Sequence, residues 1–148
     1  MTFFRELQMG GTVFDLEESE LCYAPQFGAA KDPVNLAGMI AANHLRGDLP
    51  LAKWKELGKN DVELVDVRSP AEFESGHIPG ATNIPLEALR ERLSELSGNR
   101  ETWLVCGVGQ RAYYATRALM QNDVEVKNLS GGMQTYQTFL KAGLLPKR

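Results

Sequence analysis

Hydrophobic positions change character about a third of the way along the chain. Before residue 50 they recur at helical spacing in one stretch, KDPVNLAGMIAANHLRGD. Asp32 stands as an N-cap, Pro33 at the first helical position and Gly47 just past the end, the punctuation of a helix start and stop. Val34, Ala37 and Ala41 form one stripe, Leu36 and Ile40 a second. A helix apolar on so much of its girth expects partners on two sides. The preceding ELCYAPQFGAAKD, with Pro25 and Gly28, reads as an extended or looping approach, and GDLP at 47–50 as a linker.

From about residue 60 short apolar runs alternate with helical ones. VELVDV (62–67), TWLVC (102–106) and VEVKNL (124–129) read as buried parallel strands, and ATNIP (81–85) as a brief one. SPAEFESGH opens on a Ser69 cap and a proline and predicts a short helical turn. LEALRERLSELSG predicts the cleanest helix, with Leu86, Leu89, Leu93 and Leu96 on one face and Gly98 closing it. QRAYYATRALMQ and GGMQTYQTFLKAG predict two more, the last ended by Gly143. Strands separated by helices in this way indicate an α/β fold, a parallel sheet covered on both faces.

Composition narrows the function classes. At 148 residues, 43% hydrophobic and 24% charged, the chain supports one compact domain with a real core. A net charge of −3 gives no electrostatic footprint for nucleic acid or an anionic membrane. No apolar run approaches the ~20 residues that span a bilayer, and MTFFRELQMGG does not read as a signal peptide. Two cysteines, Cys22 and Cys106, make no disulfide framework, so a reduced, cytoplasmic setting is expected. Two histidines and two cysteines at wide spacing form no metal pattern, and Gly131-Gly132 lacks dinucleotide-binding spacing. Neither metal nor cofactor is expected.

The candidate chemistry lies in TWLVCGVGQRAYYATRALM. Cys106 ends a strand, Gly107 and Gly109 follow, and Arg111 opens a helix. Ligands of open parallel sheets sit beyond the carboxyl ends of strands. Loop amides and a helix N-terminus favour negative charge there, a setting that favours thiolate over thiol. Glycine reaches positive φ at little cost, so Gly107 and Gly109 suit a tight curl, and Arg111 adds a fixed positive charge. The plainer alternative is a small buried hydrophobe at a strand end. Asp66 and Arg68, if a surface ion pair, would carry little energy. Tyr113 and Tyr114 read as one core and one surface contact, Trp54 and Trp103 as packing residues. Cys22 has nothing local to activate it.

CGVGQR resembles the active-site loop of rhodanese-like sulfurtransferases: a cysteine, four residues and an arginine, with glycine usual at Gly109. LVDVRSPAEFESGHIPGA and LSGGMQTY resemble the family's other signatures, in the right order. The match covers roughly residues 60–145. It implies a five-stranded parallel sheet between helices and a persulfide carried on Cys106, with no cofactor. Cys106 and Arg111 would be catalytic, and Gly107, Val108, Gly109 and Gln110 would form the substrate-binding loop. Asp66 would fix the active-site end of the sheet, Arg68 would pair with acidic groups such as Glu72, and His77 would be a hydrogen-bonding staple. A small sulfur donor (thiosulfate, polysulfide or persulfide) and a thiol acceptor are implied. Many family members carry a basic residue after the cysteine. Gly107 stands there instead, which shifts the expected donor toward neutral or thiol-bound persulfides.

GTVFDLEESELCYAPQFGAAKDPVNLAGMIAAN resembles the C-terminal tail of the dimerisation domain in flavin-dependent pyridine nucleotide–disulfide reductases, some of which carry a rhodanese domain after it. The expected organisation is a helical segment over 1–50 and a rhodanese domain over 51–148. The segment implies a homo-oligomer, or association with a flavin-dependent reductase. Two other functions remain open: a non-catalytic interaction module, and a phosphatase or arsenate reductase on the same scaffold. The six-residue span from Cys106 to Arg111 argues against the latter, since the family's phosphatases use a loop one residue longer.

Overall fold

The computed structural model describes residues 8–19, 32–58 and 61–145. They divide into two units, the first ending at Leu49 and the second starting at Pro50. No described helix is long and apolar enough to cross a membrane. Cys22 and most of YAPQFGAAKDPVN lie outside the described residues.

In the first unit, α1 (Val13–Glu18) starts from a Thr12 cap that forms a capping box with Asp15. α2 (Pro33–Leu45) starts from Asp32, whose carboxylate accepts the Val34 N–H at 2.8 Å. The two helices meet through small and polar residues. A Cβ on Gly38 would lie 2.6 Å from the Glu17 nitrogen, so only glycine lets the backbones approach this closely. Buried Asn35 donates to the carbonyls of Leu16 and Ser19 at 3.1 and 2.7 Å, satisfying the end of α1. Arg46 and Glu17 form a two-pronged ion pair. The face of α2 that meets α1 therefore carries Asn35 and Gly38 rather than either stripe expected from the sequence. Leu36 and Ile40 are exposed. GDLP, the expected linker, contains the boundary between the two units. Leu49 is buried, its N–H bonds the Asn43 carbonyl and its own carbonyl accepts from His44 Nδ1.

The second unit is a five-stranded, wholly parallel sheet in the order β1-β5-β4-β2-β3. Its strands are β1 (Leu51–Ala52), β2 (Glu63–Asp66), β3 (Thr82–Asn83), β4 (Thr102–Val105) and β5 (Val126–Leu129). β1 escapes the apolar pattern because it is two residues long, held beside β5 where the Asn128 N–H bonds the Pro50 carbonyl. Alternation along the strands divides the core in two. Val65 and Leu104 face α4 (Gln110–Met120), meeting Ala112, Ala115 and Leu119. Leu64, Trp103 and Val105 face the other way, toward Trp54, Ile78 and Met133 at the start of α5 (Gly132–Lys141). α3 (Pro70–Glu74) is a short helix with a Ser69–Glu72 capping box.

The expected helix over 86–98 is not formed. The chain makes two separate 3-10 turns, Leu86–Ala88 and Leu93–Glu95. The leucines still reach the core: Leu89 and Leu96 are buried, with Leu86 and Leu93 packed beside them. Both pairs, 86/89 and 93/96, are spaced by three, and positions i and i+3 share a face in a 3-10 turn. The leucine pattern is thus satisfied twice locally without a continuous helix.

Candidate functional site

Cys106 directly follows β4, the middle strand of the sheet, at its carboxyl end. The residue is 1% exposed and its Sγ accepts the Gly109 N–H at 3.1 Å. The sulfur therefore faces the loop, while apolar residues of the α4 side of the core surround it from beneath. An N–H aimed at sulfur stabilises negative charge there.

Two sets of bonds shape the loop. Behind it, the first amides of α5 donate to its carbonyls: Met133 N–H to Cys106 O at 2.7 Å and Gln134 N–H to Gly107 O at 3.1 Å. These helix-start donors have no partner within α5. In a trans peptide the N–H opposes the C=O, so the same bonds turn the Gly107 and Val108 N–H groups away from α5. Gly132 is essential to this closeness, because a Cβ there would lie 2.2 Å from Cys106 O. At the far end of the loop, Gly109 sits at φ 104°, a conformation that favours glycine. Its carbonyl accepts from Tyr113 N–H and from Asn128 Nδ2 at 3.1 Å. Gly107 differs from expectation. Its φ is not in the positive region, and a Cβ there would meet only Arg111 Nη2, at 3.5 Å. The curl needs glycine at 109 but not at 107. Val108 and Gln110 are exposed, with Gln110 Nε2 3.4 Å from the Tyr114 hydroxyl.

Arg111 leans over the mouth of this loop. Its Nη1 and Nη2 donate to the two carboxylate oxygens of Glu72, each at 2.7 Å. That fork holds the Glu72 carboxyl at about 2, far below the ordinary carboxylate range, and pushes Arg111 further up. The pairing expected between Arg68 and Glu72 is therefore corrected. Arg68 pairs with Asp66 through Nε at 3.0 Å and Nη2 at 2.7 Å, and donates to the Gly76 carbonyl. Both partners are buried, so this is not a surface ion pair. Asn83 Nδ2 donates to the Asp66 and Arg68 carbonyls, both at 2.9 Å, tying β3 to the same corner. His77 is exposed. Its ring stacks on Phe73 at 3.9 Å and its Nδ1 donates to the Phe73 carbonyl.

The structure thus brings together Cys106, Gly107, Gly109 and Arg111, sets the Asp66–Arg68 pair at the end of the adjacent strand, and leaves His77 on the surface. The sequence pattern misplaces one contributor and does not single out two others. It pairs Glu72 with Arg68 rather than Arg111, although its place in Ser-x-x-Glu marks it as a cap. Asn128 was signalled only as a polar residue within an apolar strand. Gly132 was signalled by a paired glycine opening a helix.

The rhodanese-like domain model matches residues 50–138. The chain belongs to this family. It is 42% identical to a sulfurtransferase of Allochromatium vinosum over 74 residues, 49% of this chain and 69% of that one. Among solved structures, reduced Bacillus anthracis CoADR-RHD matches with a TM-score of 0.89 at 38% identity, over 98% of this chain and 27% of that one. The NAD-dependent persulfide reductase from A. fulgidus matches with a TM-score of 0.77 at 35% identity, over 89% of this chain and 24% of that one. The chain thus spans about a quarter of each of these two reductases. The rhodanese-like α/β fold follows from these matches, with the segment before it shared with the CoADR-rhodanese type. Together with the named sulfurtransferase, they support sulfur transfer as the general activity.

Proposed function

We propose that this chain is a sulfurtransferase that carries sulfane sulfur as a persulfide on Cys106 and passes it to a thiol or another nucleophile. The observation that carries the reading is the Cys106 sulfur turned into its loop against the Gly109 N–H, in a loop braced from behind by the first amides of α5. In loading, the Cys106 thiolate attacks the outer sulfur of the donor. The donor's S–S bond breaks and its electron pair leaves with sulfite, from thiosulfate, or with a thiolate, from a persulfide. In unloading, an acceptor thiolate or cyanide attacks the outer sulfur and the pair returns to Cys106, so each cycle is redox-neutral. Amides fixed in place before the reaction stabilise a charged outer sulfur without reorganising. No general base is needed when the nucleophile is already ionised.

Intact-mass measurement after incubation with a thiol persulfide or thiosulfate should add one sulfur to the chain, mapped to Cys106, and later addition of cyanide should remove it as thiocyanate. Cys106→Ser should take up none. A wild-type chain that gains no sulfur from either donor overturns the proposal.

A further inference from the structure

Arg111 offers the fixed cation expected to meet an anionic sulfur donor, yet both of its terminal nitrogens are already occupied by Glu72. The Nη2 that bonds Glu72 Oε1 is also the atom nearest to where a Cβ on Gly107 would stand, 3.5 Å away. The carboxylate therefore sits at the opening of the loop. Glu72 sits directly on the guanidinium, Glu87 adds a further negative charge in its neighbourhood, and Gly107 adds no cation. A donor with two negative charges must either displace Glu72 from the fork or approach a guanidinium whose charge a carboxylate already offsets.

We propose that Glu72 is a specificity-determining residue that acts through Arg111: it occupies the guanidinium fork and so disfavours dianionic sulfur donors relative to donors of low charge. The proposal rests on the sulfurtransferase reading above and adds to it the group that sets donor choice. Glu72 does not touch the reacting atoms. Its effect is electrostatic, through the cation that it withholds.

The substitution that isolates this role is Glu72→Gln. Glutamine serves in a capping box as glutamate does, so α3 keeps its start while the charge is lost. Ser69→Ala is the opposite control, breaking the two bonds of the Ser69 hydroxyl to Glu72 while keeping the bond from the Ser69 N–H and leaving the carboxylate beside Arg111. The measurement is the second-order rate of sulfur uptake by Cys106, from intact mass at timed quench, with thiosulfate as the dianion and mercaptoethanol persulfide as the low-charge donor. Removing one negative charge a few ångströms from a dianion should speed thiosulfate loading by about 10-fold and change persulfide loading by less than about 2-fold. Ser69→Ala should leave the ratio of the two rates at the wild-type value. The wild type alone supplies a second readout: thiosulfate loading should rise with ionic strength as repulsion is screened, while loading from the low-charge donor stays flat. An unchanged ratio in Glu72→Gln, or thiosulfate loading that falls with salt, overturns the role of Glu72 and leaves the sulfurtransferase reading standing. If the wild type takes up sulfur from neither donor, both fall.

Discussion

The floor and the mouth of the Cys106 loop are built from the same parts and behave as opposites. Each has an arginine gripping a carboxylate through two of its nitrogens, and each has a glycine at the loop. On the floor, Arg68 and Asp66 are 7% and 0% exposed in their side chains, and Gly132 touches backbone on the α5 side. At the mouth, Arg111 and Glu72 are 36% and 41% exposed, and Gly107 has room for a side chain. Burial turns an ion pair into structure, since either partner left alone in the interior is costly. Partial exposure lets water take over when one partner is lost, so the charge of the outer pair is free to serve recognition. On the proposed function, the floor would fix where the sulfur sits and the mouth would set which donors reach it.

The largest effect should come from breaking the inner pair. Asp66→Asn keeps the shape but leaves the Arg68 guanidinium buried beside a neutral group, and should cost about 3–5 kcal/mol of unfolding free energy. Glu72→Gln should cost about 1 kcal/mol or less, as exposed pairs do. Urea denaturation of both variants measures the contrast. Equal losses would mean that both pairs are structural and that exposure does not separate them.

The two glycines should separate next. Gly132→Ala forces φ of +54° on an alanine and sets its Cβ 2.2 Å from the Cys106 carbonyl and 2.9 Å from the Gly107 carbonyl carbon. The backbone conformation alone costs ~1–2 kcal/mol, and relief of the clash must move the loop, so stability and sulfur uptake should both fall. Gly107→Ala meets only the end of the Arg111 side chain and should change stability by no more than about 0.5 kcal/mol. Thermal melts and the mass-shift assay read both. A Gly107→Ala chain as damaged as Gly132→Ala would show that the mouth is as closely packed as the floor.

The same contrast explains what the sequence made legible. β2, β4, β5, α4 and α5 follow from apolar period and punctuation, because each buries a face whose spacing only one element type satisfies. The stretch over 86–96 does not, since spacings of three, four and three fit one helix or two 3-10 turns equally well. Cys106, Gly109 and Arg111 could be read as a loop because their chemistry is contiguous in the chain. The grip of Glu72 on Arg111 could not, for it joins residues 39 apart in the sequence. Nothing in either local pattern says which arginine a given carboxylate finds. Asp66 and Arg68 are two residues apart and lie at one strand end, so geometry pairs them first and leaves Glu72 to reach across to α4.

Acid should dissolve the outer pair in a defined window, with the smallest effect of the set. Glu72 titrates at about 2 in the folded chain against an ordinary 4.5, chiefly because Arg111 donates to it. A carboxyl with a depressed folded value stabilises the fold fully above its unfolded value and loses that contribution as pH falls toward the folded one. The stability gap between wild type and Glu72→Gln should therefore hold from pH 8 to about 5.5 and narrow from about 4.5 toward about 2. With both side chains more than a third exposed, solvent screening limits the gap to ~1 kcal/mol at most. Urea midpoints taken across that range test it, and a gap that closes by pH 5 would mean that Arg111 does not hold the carboxylate. Because Glu72 stays ionised throughout the neutral range, the charge at the mouth is constant there, and the preference between donors should not change with pH on its account.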